Sequence, residues 1–202
     1  MTASTPTSSL VGGFGLLERA TSYTLGSLQL VTSADLLRPT PCRDWDLRTL
    51  FRHMNDSLAT LHEAAETGYV DLADLPADSG LDDLVGSLKD RACQLLGEWS
   101  GSRLRAISIA DLTLSSGLVA ATGALEVAVH GWDVSAACGT PRKIPSELAG
   151  ELLELALILV TEEDRPGRFA HPVRIPAGSS PSTRLLAWLG RDATRPPWQA
   201  TT

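Results

Sequence analysis

Residues 124–139 read ALEVAVHGWDVSAACG. Apolar and small side chains surround this segment on almost every side, which predicts a helix buried all round rather than one with a single core-facing stripe. Extended back to Ser115, the helix carries three ionisable side chains as far as Ala137: Glu126, His130 and Asp133. At about 100° per residue, Glu126 and His130 stand one turn apart on one face, with Asp133 and Thr122 falling on that face too. A buried carboxylate or imidazole without a partner costs several kcal/mol, so these groups must be satisfied by something. One reading is a core histidine hydrogen-bonded to a carboxylate. The sharper one is a pair of metal ligands at i and i+4, completed by a third from a facing helix, as helix bundles build metal sites from inward-pointing side chains.

Outward from that helix the chain reads as more helices. Residues 14–38 have apolar positions at helical spacing up to Pro39. Asp46 is the expected N-cap of a helix running to Gly68. Residues 69–80 read as a loop, and 81–100 as a third amphipathic helix with acids at its front. Residues 104–114 alternate and are partly β-branched, which suggests an extended piece. The central helix spans 115–137, Ser146 caps a fifth, and the tail from Arg168 to Asp192 offers a short extended piece and one more short helix. The expected fold class is all-α: an antiparallel, up-and-down four-helix bundle with an additional C-terminal helix and short extended segments. It forms one domain over 1–202, with 1–12 and 193–202 as flexible ends.

Composition removes several functions. At 202 residues and 43% hydrophobic, the chain suits one domain with a real core. A net charge of −7 and a pI near 5.0 offer no basic stripe for nucleic acid or an anionic membrane. Cys42, Cys93 and Cys138 are odd in number, widely spaced and without a CxxC pair, which fits a reducing cytoplasm and neither a disulfide framework nor a zinc finger. No secretory signal and no membrane-length apolar run are visible.

The third ligand must be sought among the other histidines. His53 and His62 both lie on the second helix, whose apolar stripe is Leu47, Leu50, Phe51, Met54, Leu58 and Leu61. On an ideal helix His62 lies nearer the centre of that stripe and His53 on its flank. Periodicity mildly favours His62, while a flank position suits a ligand bordering an open cleft. His171, beside Pro172, reads as a surface or packing residue.

Two motifs, TPCRDWDLRTLFRHM (40–54) and EVAVHGWDVSAACG (126–139), resemble the mycothiol-dependent maleylpyruvate isomerase family, part of the wider DinB-like group of metal-binding helical bundles in actinobacteria. The tail, with VRIP and RLLAWLGRD, is similar to the ends of short single-domain members. The resemblance implies His53 as one metal ligand, against the periodicity hint, and Glu126 and His130 as the other two. It implies mycothiol as co-substrate. Two departures stand out. The full-length isomerases carry a further C-terminal domain that contributes substrate-binding residues, for which 202 residues leave no room, so maleylpyruvate itself is not the expected substrate. Many relatives also have a basic residue late in the fourth helix, where this chain has Ala136, Ala137 and Cys138.

Two imidazoles and one carboxylate leave a divalent ion one open position, the arrangement of a catalytic zinc; nickel and iron accept the same donors. A thiol in that position becomes a thiolate. The expected function is therefore a metal-dependent thiol S-transferase or isomerase acting on an electrophilic small molecule. Alternatives are a metal-dependent hydrolase or isomerase that needs no thiol, and a metal-binding bundle without turnover. Asp133 reads equally as a group orienting a ligand and as a buried salt bridge or cap to the Trp45 turn. Trp45 and Trp132 read as core, and Cys42 as a small buried residue near a helix N-terminus. Cys93 is expected on the apolar side of the third helix. A homodimer through an exposed helix is left open.

Overall fold

A computed structural model describes residues 12–42, 44–71, 83–101 and 105–194, with side chains left out at 100 and 101. The expected flexible start (1–12) and end (193–202) and the loop over 72–80 lie almost entirely outside these residues. The chain is mostly helical. In chain order come α1 (Gly13–Leu28), α2 (Leu47–Thr67), β1 (Tyr69–Val70), α3 (Leu84–Gly101), β2 (Ala106–Ile109), β3 (Leu112–Ser115), α4 (Ser116–Ala137), α5 (Ser146–Leu159) and α6 (Pro181–Trp188).

The helix ends follow local chemistry. Asp46 Oδ1 accepts from the Thr49 amide at 2.8 Å and opens α2, while Gly68, at φ 71°, closes it in the left-handed conformation that glycine adopts without strain. Ser115 Oγ accepts from the Leu118 amide and opens α4. Helix α1 stops ten residues before the expected Arg38. Asp35 Oδ2 takes hydrogens from both the Thr32 amide and hydroxyl, and this capping box starts a separate 3-10 turn at Ser33–Asp35. Ser146 is the first residue of α5 and not its cap, a place taken by Pro145. The extended reading of 104–114 corresponds to the β2–β3 hairpin, in which Ile109 faces Leu112 across the turn. Tyr69 and Val70, expected in a loop, pair in parallel with Ser108 and Ile109. The tail holds no strand among the described residues, although the Val173 amide donates to the Ala187 carbonyl.

Helices α1 to α4 pack on one another, but not in the up-and-down order expected. Gly13 meets Gly117 at one end of α1, and Thr24 meets Val127 and Gly131 near the other, so α1 and α4 run parallel. Asn55 bonds to the Leu84 carbonyl and Trp99 to the Leu61 carbonyl, so α2 and α3 run parallel as well. Between the pairs direction reverses. His53 lies against Glu126 and Leu61 against Gly123, while Phe14 packs on Trp99. The resulting order is up, down, down, up. Antiparallel neighbours follow from short loops, whereas sixteen residues separate Thr67 from Leu84, enough for α3 to start at the same end as α2.

Helix α4 is the centre, buried from Val127 through Ala137 without a break. Its small residues let α1 approach closely: a Cβ at Gly131 would stand 2.2 Å from Thr24 Oγ1 of α1. Trp132 joins the core as expected, but Cys93 is exposed; its position on α3 turns outward between buried Ala92 and Leu95. Helix α5 packs on α4 and α6, bringing the tail back over the end of α4.

Tyr23 ties α1 to the chain leaving α4. Its hydroxyl donates to the Arg142 carbonyl at 2.6 Å, and Arg142 lies over its ring. Burial, opposed by hydrogen bonds to serine and by the Arg142 charge, pushes its pKa up to about 12. The neutral phenol is favoured in the fold, so its contribution is whole below pH 10 and disappears as pH rises from 10 to 12. Thermal melts across this range should show an alkaline loss on the order of 2 kcal/mol that is absent in Tyr23→Phe.

Candidate metal centre

His53 projects from the second turn of α2, and Glu126 and His130 project from the middle of α4. The antiparallel contact of these helices brings the three together. His53 Nε2 lies 2.5 Å from Glu126 Oε1, and His130 Nε2 lies 3.1 Å from the same oxygen. All three donor atoms fall within 4.8 Å of one another. Ser57 Oγ, one turn beyond His53, also donates to that oxygen at 3.4 Å. The His53 and His130 rings meet edge-on with centroids 5.0 Å apart, and the Trp45 ring covers both. Trp45 therefore forms a wall of the cluster as well as packing on the core.

Behind this trio lies a second, buried layer. Asp133 is wholly enclosed, and its Oδ2 lies 2.9 Å from His130 Nδ1. The same oxygen accepts from Arg191 Nη2 at 3.1 Å and from Cys42 Sγ at 3.3 Å. Arg191 arrives from the tail just after α6 and is fixed by a further bond from Nη1 to the Leu189 carbonyl. Both readings of Asp133 thus describe one arrangement: a salt bridge that also orients His130. Cys42, His130 and Asp133 form a second close group, but Arg191 already occupies the Asp133 carboxylate.

The charges support one another. Burial opposes ionisation of Glu126, yet the His130 and His53 imidazoles outweigh it and hold its pKa well below the ordinary carboxylate value. Burial likewise opposes a charge on His130, but Glu126, Asp133 and Cys42 push its pKa well above the ordinary imidazole value. For Asp133, burial is overcome by Arg191 and His130, which bring its pKa down to about 2. An ionised Asp133 can only accept, so His130 Nδ1 must donate to it. When His130 is neutral, its lone pair then sits on Nε2, facing Glu126. That is the tautomer a metal ligand needs, set in the way carboxylates set it behind metal-bound histidines. His53 and Glu126 are about one-third exposed (37% and 35%), so the trio opens to solvent on one side. The donor set, its convergence and its open side fit a divalent ion with a free coordination position.

His62 is elsewhere. Its Nδ1 lies 2.7 Å from Glu98 Oε2 on α3, although its side chain is about as exposed as that of His53. Thr122 is exposed and bonds to the Leu118 carbonyl, one turn back, outside the trio. His171 is exposed.

The fold and cluster define a mostly helical protein with two histidines and a glutamate gathered at the contact of two helices. The chain belongs to the mycothiol maleylpyruvate isomerase N-terminal domain family, whose model matches residues 17–135. No curated protein matches the chain. The matched span contains His53, Glu126, His130 and Asp133, while Arg191 lies beyond it.

Sequence reasoning did not find Arg191. The signal was indirect: a buried Asp133 requires a cation, and α4 offers none in its last turns. Choosing Arg191 among the arginines needed the path of the tail. Ser57 was missed because a serine at a helical flank carries no distinguishing pattern.

Proposed function

We propose that His53, Glu126 and His130 hold one divalent ion, with zinc the first choice and nickel or iron admitted by the same donors, and that the protein joins a low-molecular-weight thiol to an electrophilic small molecule or uses the thiol to isomerise it. The observation that carries the reading is the meeting of two imidazole Nε2 atoms on one Glu126 oxygen, open to solvent on one side. Membership of a family named for mycothiol makes that thiol the first candidate. The DinB-like bundle and a cytoplasmic setting belong to the same reading; three free cysteines agree with the latter, and no helix among the described residues is long and apolar enough to cross a membrane.

A divalent ion at this place would lower the pKa of a thiol or water in its free position. The rest is the work of the chain. Asp133 holds His130 in the tautomer that offers Nε2, and Arg191 keeps Asp133 ionised and in place. The two imidazoles keep Glu126 as a carboxylate, and Ser57 donates a hydrogen bond to it. Trp45 covers the rings, and the exposed edges of His53 and Glu126 leave an entrance for a ligand.

Calorimetric titration with mycothiol tests the pairing of metal and thiol directly. Metal-loaded protein should bind mycothiol with release of a proton, seen as a heat that depends on buffer ionisation enthalpy. Chelator-treated protein should give at least a tenfold weaker isotherm. Equal binding by both forms would place the thiol away from the ion and overturn the reading.

A further inference from the structure

Arg191 stands at the end of a turn built to aim it. Helix α6 closes on Gly190, at φ 79°. The Gly190 amide donates to the Ala187 carbonyl at 3.1 Å and the Arg191 amide to the Leu186 carbonyl at 2.8 Å. This is the paired-bond helix ending in which glycine takes the left-handed position. The turn admits no larger residue: a Cβ on Gly190 would stand 2.6 Å from the Ala170 Cβ and 2.8 Å from the Ala170 carbonyl oxygen. Arg165 holds the two sides of this contact together. Its guanidinium lies over the Trp188 ring and donates to the Trp188 and Ala170 carbonyls.

From that turn the Arg191 side chain enters the protein, where it is 10% exposed. Its Nε and Nη2 reach the two oxygens of Asp133 at 3.4 and 3.1 Å, and Nη1 returns to the Leu189 carbonyl at 2.9 Å. A planar fork holds both carboxylate oxygens at once, which a lysine ammonium cannot do in the same geometry. Asp133 Oδ2 also accepts from Cys42 Sγ and from His130 Nδ1, so one carboxylate joins the turn before α2, helix α4 and the tail. Turning the His130 ring would break its bond to a carboxylate that the other two segments hold in place.

We infer that Arg191 is a positioning residue of the metal centre: the Gly190 turn delivers it, Asp133 transmits its hold to His130, and tail docking and ion binding reinforce each other. The family-matched span carries all three ligands, yet the group that fixes the orientation of one of them comes from beyond its end. The inference rests on the metal reading above. An ion on His130 Nε2 draws electron density from the ring and makes Nδ1–H a stronger donor to Asp133, so a loaded site grips the tail more firmly. By reciprocity the docked tail tightens the ion by the same factor.

Zinc titration of purified variants is the first test. Arg191→Gln keeps a hydrogen-bonding group but removes the charge and the fork, and should weaken zinc about tenfold, as loss of support behind a ligand does. Arg191→Lys restores the charge alone and should fall between wild type and Arg191→Gln. Gly190→Ala keeps the arginine but strains the turn that aims it, and should match Arg191→Gln. Arg19→Ala removes an exposed salt bridge between α1 and α5 that touches none of these groups, and should leave zinc affinity unchanged. Hydrogen exchange reads the reverse direction: zinc should slow the Gly190 and Arg191 amides about tenfold in wild type and not in Arg191→Gln. In NMR spectra the His130 Nδ1 proton should give a slowly exchanging resonance that Arg191→Gln loses. That proton is also read without metal, so wild-type protein that shows this loss but takes up no zinc would defeat the metal reading and not the positioning of His130. The inference is overturned if Arg191→Gln and Gly190→Ala keep wild-type zinc affinity, if Arg19→Ala weakens it equally, or if the Nδ1 proton signal persists in Arg191→Gln.

Discussion

Replacing Glu126 by alanine is expected to remove stoichiometric metal altogether. Both imidazole Nε2 atoms converge on Glu126 Oε1, at 2.5 and 3.1 Å, so this carboxylate is the shared centre of the donor set as well as its only negative charge. Without it two neutral donors remain, on helices whose spacing is no longer held by the His53–Glu126 contact. His53→Ala and His130→Ala should have the same result. Asp133→Asn, which keeps the shape but not the charge behind His130, should weaken metal binding roughly 10- to 100-fold without abolishing it, the usual cost of disturbing the partner that orients a ligand. His62→Ala should leave metal content unchanged, because His62 pairs with Glu98. Elemental analysis of protein purified without a His-tag or chelator reads all five variants. Full metal retention in Glu126→Ala would defeat the assignment.

Removing the ion should lower the melting temperature without unfolding the protein. A ligand bound only to the native state stabilises it by RT ln(1 + [L]/Kd), and that increment is lost with the metal. The core, however, does not depend on the trio: Leu16, Leu50, Phe51, Leu88, Leu95 and Leu152 are buried through contacts of their own. This distinguishes the site from small metal-nucleated domains, in which binding energy is folding energy.

What could be read in the sequence followed what lies on one helix. Glu126 and His130 share α4 at i and i+4, so their proximity is a property of helical geometry and needed no fold. The caps at Asp46 and Gly68 were legible for the same reason, because each acts within one turn, whereas Ser146 is the first residue of α5 and not its cap. Long-range choices were harder. His53 and His62 are nearly equal in exposure, and what separates them is the neighbouring helix each one faces. No hydrophobic period records that, and the family motif was needed to choose His53. Helix direction was hidden too, since the link between α2 and α3 is long enough to permit either sense. Arg191 reaches Asp133 across 58 positions of sequence, a pairing that exists only because α5 and α6 fold the tail back over α4.

Turnover is expected to require metal and mycothiol together, which is the largest effect on activity. With either component absent, conjugation of an electrophilic small molecule should fall to the uncatalysed rate. The reason is electrostatic: a thiol beside a divalent cation ionises more readily than the free thiol, and the thiolate is the nucleophilic form. The pH–rate profile should therefore rise at lower pH than the ionisation of free mycothiol, and this displacement should vanish in His53→Ala. Its acid side is bounded by the protein's own groups, because His53 and His130 must be unprotonated to act as ligands, and the pull of Glu126 and Asp133 on His130 favours its proton. Activity should thus fall again as pH drops, through loss of metal rather than loss of thiolate, and excess metal should partly restore it. Glutathione should serve poorly, since a tripeptide brings two carboxylates and an ammonium group to an entrance where the ionised Glu126 stands about one-third exposed. Steady-state rates with each thiol, measured with metal-loaded and chelator-treated protein, decide the matter. Equal rates without any thiol would assign the open position to water and make the protein a metal-dependent hydrolase or isomerase.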